Sequence, residues 1–216
     1  MIEFAQSVIE QLLASSLWEL AAVVLAIAYL LLAMAQSRWC WPAAFFSTMI
    51  YVVLFWQSAL LMESLLNAYY LAMAVYGWKM WQQRPNVPTV DGLPPNATVQ
   101  TVVKSWSLVS HAKIITGLSI LSAVLGYVMA NFTHADFAYL DATTTVFALF
   151  ATWMVTQKVL ENWLYWIVID GASIYLYIQK SFNLTAGLFM LYCVICVFGY
   201  LKWREQLEPK VATAPC

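Results

Sequence analysis

Charge is scarce in this 216-residue chain. Asp, Glu, Lys and Arg make up 10% of it, against roughly 25% in a soluble domain. The net charge of −1 supplies no basic face, which excludes nucleic acid as a partner. Cysteine is sparse as well: the four present form no Cys/His cluster, and Cys193 and Cys196 lie in an apolar run as small buried residues. The two histidines, His111 and His134, fall at opposite membrane faces in the topology below, so they share no metal. No HExxH or Walker sequence occurs, and "GASI" lacks the Gly that completes a nucleophile elbow. We therefore expect no enzyme, metal or cofactor, and nothing in the chain to drive pumping with nucleotide.

What is abundant is hydrocarbon. Hydrophobic residues make up 63% of the chain and the mean hydropathy is +0.73, which places it in a lipid bilayer. Seven apolar runs lie near 18–37, 41–58, 62–82, 112–131, 137–156, 160–179 and 184–203. The expected fold is an all-α integral membrane protein. Ahead of the first run, residues 1–17 carry Glu3 and Glu10 and no Lys or Arg, so they lack the basic start of a cleaved signal. Ile2, Ala5, Ile9, Leu12 and Leu13 recur at helical spacing there, as in a surface helix or a prolongation of the first span. Residues 83–111, rich in Pro, Asn and Thr, read as a linker, and 204–216 as a tail.

Lys and Arg set the orientation. With the N-terminus outside, Arg38, Lys79, Arg84, Lys104, Lys113, Lys158, Lys202, Arg204 and Lys210 face the cytoplasm and Lys180 alone faces out. The chain also repeats itself. Residues 41–81 laid on 163–203, an offset of 122, pair Trp41 with Trp163, Gln57 with Gln179, Tyr70 with Tyr192, Gly77 with Gly199 and Trp81 with Trp203. The same offset lays Glu19 on Asp141. A first three-helix repeat (18–82) and a second (137–203) then run parallel, joined by a lone linking helix (112–131). Folds of the SWEET type are built so, with the binding site near the midplane between repeats.

Asp170 breaks the sixth run. It lies ten residues from Leu160, or ~15 Å along a helix, near the centre of a ~30 Å hydrocarbon layer. A carboxylate there costs about 2.5–3.5 kcal/mol. Asn162, Trp166, Asp170, Ser173 and Tyr177 follow at steps of four, four, three and four, so they share one helical face. A hydrogen-bonded seam between helices contributes only ~0.6 kcal/mol per contact, too little to explain the acid. The stripe instead fits a polar cargo. Asp141, with Thr144 or Thr145, marks a face of the fifth run, either as a second contact or as a charge at a helix start. Glu63, Asn67, Tyr70 and Gly77 share a face of the third, where the Asn67 amide suits a cargo amide or hydroxyl. Gln57 and Gln179 are loop caps in both halves, or one of them is a contact. At the fifth-to-sixth turn, Lys158 and Glu161 read as a structural salt bridge. Indole faces attract a flat or cationic group, a carboxylate bonds vicinal hydroxyls, and an amide reads an amide, so a ribosylated aromatic cation uses every group.

Three pieces carry a family resemblance: LDA.TT at 140–145, K..ENW..WI..D..SI.LY over 158–177, and YGW..W at 76–81. Over roughly residues 17–204 the chain resembles the PnuC family of bacterial nicotinamide riboside transporters. The resemblance implies facilitated uptake of nicotinamide riboside through the inner membrane, trapping by cytoplasmic phosphorylation for NAD synthesis, and a homotrimer with one pathway per protomer. It implies contacts at Gln57, Asn67, Tyr70, Asp141, Thr145, Asn162, Trp166, Asp170, Ser173 and Tyr177. Asp170, Asp141 and Tyr177 would hold the ribose or offset the cation, Gln57 and Asn67 would read the carboxamide, and Trp166 would stack. The alternatives are thiamine as cargo in the same fold, or a membrane scaffold that transports nothing.

Overall fold

The computed structural model describes residues 15–57, 61–82, 103–132, 137–179 and 182–207, together with Gln6 and Gln11. These residues form seven helices: α1 (Leu17–Met34), α2 (Cys40–Gln57), α3 (Leu61–Gln82), α4 (Leu108–Phe132), α5 (Ala138–Thr156), α6 (Asn162–Gln179) and α7 (Asn183–Arg204). Five of them are long and apolar enough to cross a bilayer; α3 and α6 are the two that are not. Those two carry the polar faces built on Asn67 and Asp170, which lower their hydropathy. Of the N-terminal stretch, only Gln6 and Gln11 are described among residues 1–14. Most of the linker (83–102), His134 and the tail beyond Leu207 also lie outside the described residues.

Local chemistry sets the helix ends. A capping box starts α1: Ser16 Oγ accepts from the Glu19 N–H at 3.2 Å, and Glu19 Oε2 accepts from the Ser16 N–H at 2.7 Å. At α4, Ser107 Oγ accepts from the Ser110 N–H at 3.3 Å, so the helix begins four residues before the expected 112 and takes in His111. The start of α6 is two residues later than expected, because the 158–160 backbone is engaged elsewhere. Lys104 N–H donates to Lys158 O at 2.9 Å and Leu160 N–H to Lys104 O at 2.8 Å, which straps residues 103–107 onto the α5–α6 turn.

Helix α1 packs on α2 and α7, α2 on α3, α3 on α5, α5 on α6, and α6 on α7. Six helices thus close a ring, and α4 stands outside it against α5. Contact α1·α7 maps onto α5·α3 when each half is exchanged for the other. This is the symmetry of two parallel three-helix repeats.

The repeat holds in atomic detail. Trp41 and Trp81 meet edge to face at 5.3 Å and 87°, and Trp163 and Trp203 meet at the same distance and angle. Gly77 lies under Trp41 so closely that a Cβ would come within 2.4 Å of the indole; at Gly199 a Cβ would come within 2.7 Å of Trp163. The halves then cross. Trp81 Nε1 donates to Thr156 O, and Trp203 Nε1 donates to Ala33 O, each at 3.2 Å. The last helix of each repeat therefore donates to a carbonyl at the end of the other repeat's first helix.

Both first helices end in the same Schellman turn. Gln36 N–H donates to Ala33 O and Ser37 N–H to Leu32 O; Lys158 N–H donates to Val155 O and Val159 N–H to Met154 O. The left-handed residue is Gln36 (φ 52°) in one half and Lys158 (φ 53°) in the other, 122 positions apart. Glycine is the usual occupant, since a side chain there costs roughly 1–2 kcal/mol.

Candidate functional site

Asp170 is 2% exposed, eight residues into α6 and thus ~12 Å from its start. Its Oδ2 lies 3.9 Å from Cys196 Sγ on α7, which donates the bond. The Tyr70 hydroxyl on α3 interacts electrostatically with Asp170 and with Tyr177 on α6. Tyr192 on α7 interacts with Asp170 and with Tyr51 on α2. Tyr51 in turn reaches Tyr177 and Glu19, and Tyr29 on α1 reaches Tyr70 and Cys196. Tyr70 and Tyr192, one from each repeat, therefore bear directly on the buried acid, and Tyr177, Tyr51 and Tyr29 join them in a chain of phenols from five helices. A phenol both donates and accepts and presents a flat face. Such a lining suits a flat ring carrying hydroxyls, with the carboxylate balancing a positive charge.

The expected stripe on α6 folds as one face and divides by depth. Trp166 is half-buried and packs against the Trp41–Trp163 core as well as against Ala148, Ala151 and Ile169. Ser173 is 9% exposed, one turn beyond Asp170. Tyr177 follows, half-buried, its ring 5.2 Å from Phe189 and 6.4 Å from Phe182. Asn162, at the other end of the stripe, is fully buried and donates from Nδ2 to Val159 O at 2.6 Å. That bond ties it to the α5–α6 turn, away from Asp170.

On α5, Asp141 is half-buried in the first turn and Thr145 half-buried one turn on. Thr143 and Thr144 return their hydroxyls to their own helix, at Tyr139 O and Leu140 O. On α3, Asn67 is half-buried, one turn before Tyr70. Gln57 is the exposed last residue of α2, as Gln179 is of α6, so the pair occupies matching helix ends and not the level of Asp170. The reading of the residues missed Tyr29, Tyr51, Tyr192 and Cys196. Tyr192 had a signal, as the repeat mate of Tyr70.

The expected Lys158–Glu161 salt bridge does not form. Lys158 Nζ donates to Gln36 Oε1 at 3.0 Å and lies 4.5 Å above the Trp81 ring. Glu161 instead accepts from Ser105 Oγ at 2.5 Å and from the Trp106 N–H at 3.3 Å, and faces His111 Nε2 at 3.6 Å. His111 Nδ1 lies 3.1 Å from the Tyr165 hydroxyl. The left-handed backbone at Lys158 turns its side chain toward Gln36, while the strap brings donors to Glu161.

The sequence profile of the nicotinamide mononucleotide transporter family matches residues 16–205. The chain belongs to that family. It is a multi-pass membrane transporter. The nicotinamide riboside transporter PnuC of Escherichia coli (strain K12) is 22% identical over 180 residues, covering 76% of this chain and 75% of its own length. The transporter of the same name from Shigella flexneri gives the same figures. Among solved structures, the crystal structure of the vitamin B3 transporter PnuC aligns with a TM-score of 0.71 at 17% identity, over 95% of this chain and 90% of that one.

Proposed function

We propose that this family member takes up nicotinamide riboside through the bacterial inner membrane. The observation that carries this reading is the buried acid Asp170 with Tyr70 and Tyr192, one tyrosine from each repeat, acting on it. The family's description names a mononucleotide and the relatives a riboside, which differ by one phosphate. A phosphate needs cations or converging N–H donors. Among the described residues, the helical cations are Lys79, Lys113, Lys202 and Arg204, all near helix ends, while Asp170 would repel a phosphate. The riboside keeps the pyridinium charge that Asp170 balances and the ribose hydroxyls that Asp141 and Tyr177 accept. Asn67 reads the carboxamide and Trp166 stacks, while Tyr70, Thr145 and Ser173 complete the set; Gln57 and Asn162, at the two ends of the helices, stand apart from it.

Movement is by facilitated diffusion with the N-terminus outside, and a cytoplasmic kinase traps the product for NAD synthesis by adding the phosphate the site disfavours. Protomers assemble as homotrimers, one pathway each. Calorimetric titration of the purified protein with nicotinamide riboside, nicotinamide mononucleotide and thiamine tests the reading. Saturable binding of the riboside alone is the expected result. Tighter binding of thiamine would move the protein to that cargo, and no binding of any of the three would leave a scaffold.

A further inference from the structure

One end of the ring is closed by bonds that cross between the repeats. Trp81 and Trp203 exchange their indole bonds there, with rings 6.3 Å apart, and Gln157 Nε2 donates to the Tyr76 hydroxyl at 3.3 Å. At the centre lie the two equivalent left-handed residues. Lys158 donates across the pseudo-two-fold axis to Gln36, and Gln36 Nε2 donates onward to Gln206, beyond α7.

Three features of this arrangement are poor for stability. Lys158 is 5% exposed, and the ion pair among the described residues is His111–Glu161, so a cation is buried on an amide and an indole face with no acid beside it. Both left-handed positions carry side chains where glycine would relieve the backbone. Trp41 Nε1, Trp163 Nε1 and Asn162 Oδ1, also at this end, are buried without a hydrogen-bond partner in the protein. Strain kept in matching places in both halves, on side chains that meet, marks an element with two arrangements. Transport by parallel repeats needs such an element, because one repeat must rock against the other around a fixed site.

We propose that Lys158 and Gln36 form the latch of this end of the passage: the bond across the axis, steadied by the Trp81 ring, holds the repeats together here and must break for cargo to pass. The inference rests on the transport reading, yet its test does not need cargo. Cys40 is fully buried and within electrostatic reach of Lys158, so its thiol reports opening. Full-length protein in vesicles is treated from the Lys158 side with a membrane-impermeant maleimide, and modification of Cys40 is followed by peptide mass spectrometry.

Lys158→Met should speed Cys40 modification about tenfold, the range expected for losing one buried cation–π contact. Lys158→Arg keeps the cation and should stay near the wild-type rate. Lys158→Gly should open the end as Met does while relieving the left-handed turn, so it covers the case in which Lys158→Met folds poorly. Gln36→Leu should match Lys158→Met, and the double variant should exceed neither. The affinity for riboside should be unchanged throughout, while the transport rate changes. Rates within twofold of wild type for both Met and Gly, in protein of wild-type melting temperature, would overturn the latch, as would additive effects of the two single changes. Absence of riboside binding by the wild type would instead count against the transport reading and leave the labelling result intact.

Discussion

Cys196 donates its thiol to Asp170, Sγ to Oδ2 at 3.9 Å, in the interior of the six-helix ring. A thiol is a weak donor, so the carboxylate retains most of its accepting capacity for a guest. The guest's charge and hydroxyls do better than the thiol, and the acid is buried yet available.

Replacing Asp170 by Asn keeps the shape and removes the charge. Riboside binding should fall at least about tenfold, the equivalent of 1.4 kcal/mol, while the uncharged reduced riboside should lose less. Titration of both compounds against wild type and variant measures the difference. Equal losses would mean that Asp170 holds hydroxyls and not the cation.

Gly77→Ala and Gly199→Ala should each destabilise by about 1–3 kcal/mol through overpacking, because a methyl group would enter the Trp41 or Trp163 ring. Nothing lies within 4 Å of the Gly117 Cβ direction, so Gly117→Ala in α4 should be neutral or slightly stabilising. Thermal unfolding of the three variants in detergent makes the comparison. Equal melting temperatures would show that the tryptophans yield easily.

Burial pulls Lys158 down from an ordinary 10.5 to about 8, with nearby Cys40 acting weakly the other way. Below pH 8 the folded protein bears the full cost of a buried cation. Between about 8 and 10.5 the unfolded chain binds a proton that the folded one does not, so stability rises with pH across that window. The melting temperature of wild type relative to Lys158→Met should therefore climb between pH 7.5 and pH 9.5. A flat difference would place the Lys158 amine in water.

Glu161→Ala leaves the Ser105 hydroxyl, the Trp106 N–H and His111 without their shared acceptor, at a cost of about 1–3 kcal/mol. Hydrogen exchange at Lys104 and Leu160, whose N–H groups donate the two bonds of the strap, should accelerate together. If only the 103–107 side speeds up, the turn does not depend on the strap.

How far the molecule was legible in its sequence follows from which signals are local. The offset of 122 appeared because Trp41, Gly77 and Trp81 recur as the same residue types, and contact geometry requires those types: indole needs glycine beneath it. The face carrying Asp170 was legible because four-residue spacing is a property of any helix. Lys158 misled because closeness at a turn gives Glu161 as its partner, whereas the left-handed backbone there sends the side chain across to Gln36. Gln36 offered no signal, since the two halves use different residues at that point. Tyr29, Tyr51 and Tyr192 lay in apolar runs where tyrosine reads as interfacial or core material, and only the folded ring shows that they meet.

Gln36 facing Lys158 also bears on ancestry. A three-helix unit paired with an identical copy places the same residue twice at the crossing point, and two lysines there would repel. Unlike residues at that point become possible only once both units are encoded in a single polypeptide, free to diverge. By inserting one odd helix that lets the second unit enter the bilayer in the same direction as the first, α4 made the mismatch available.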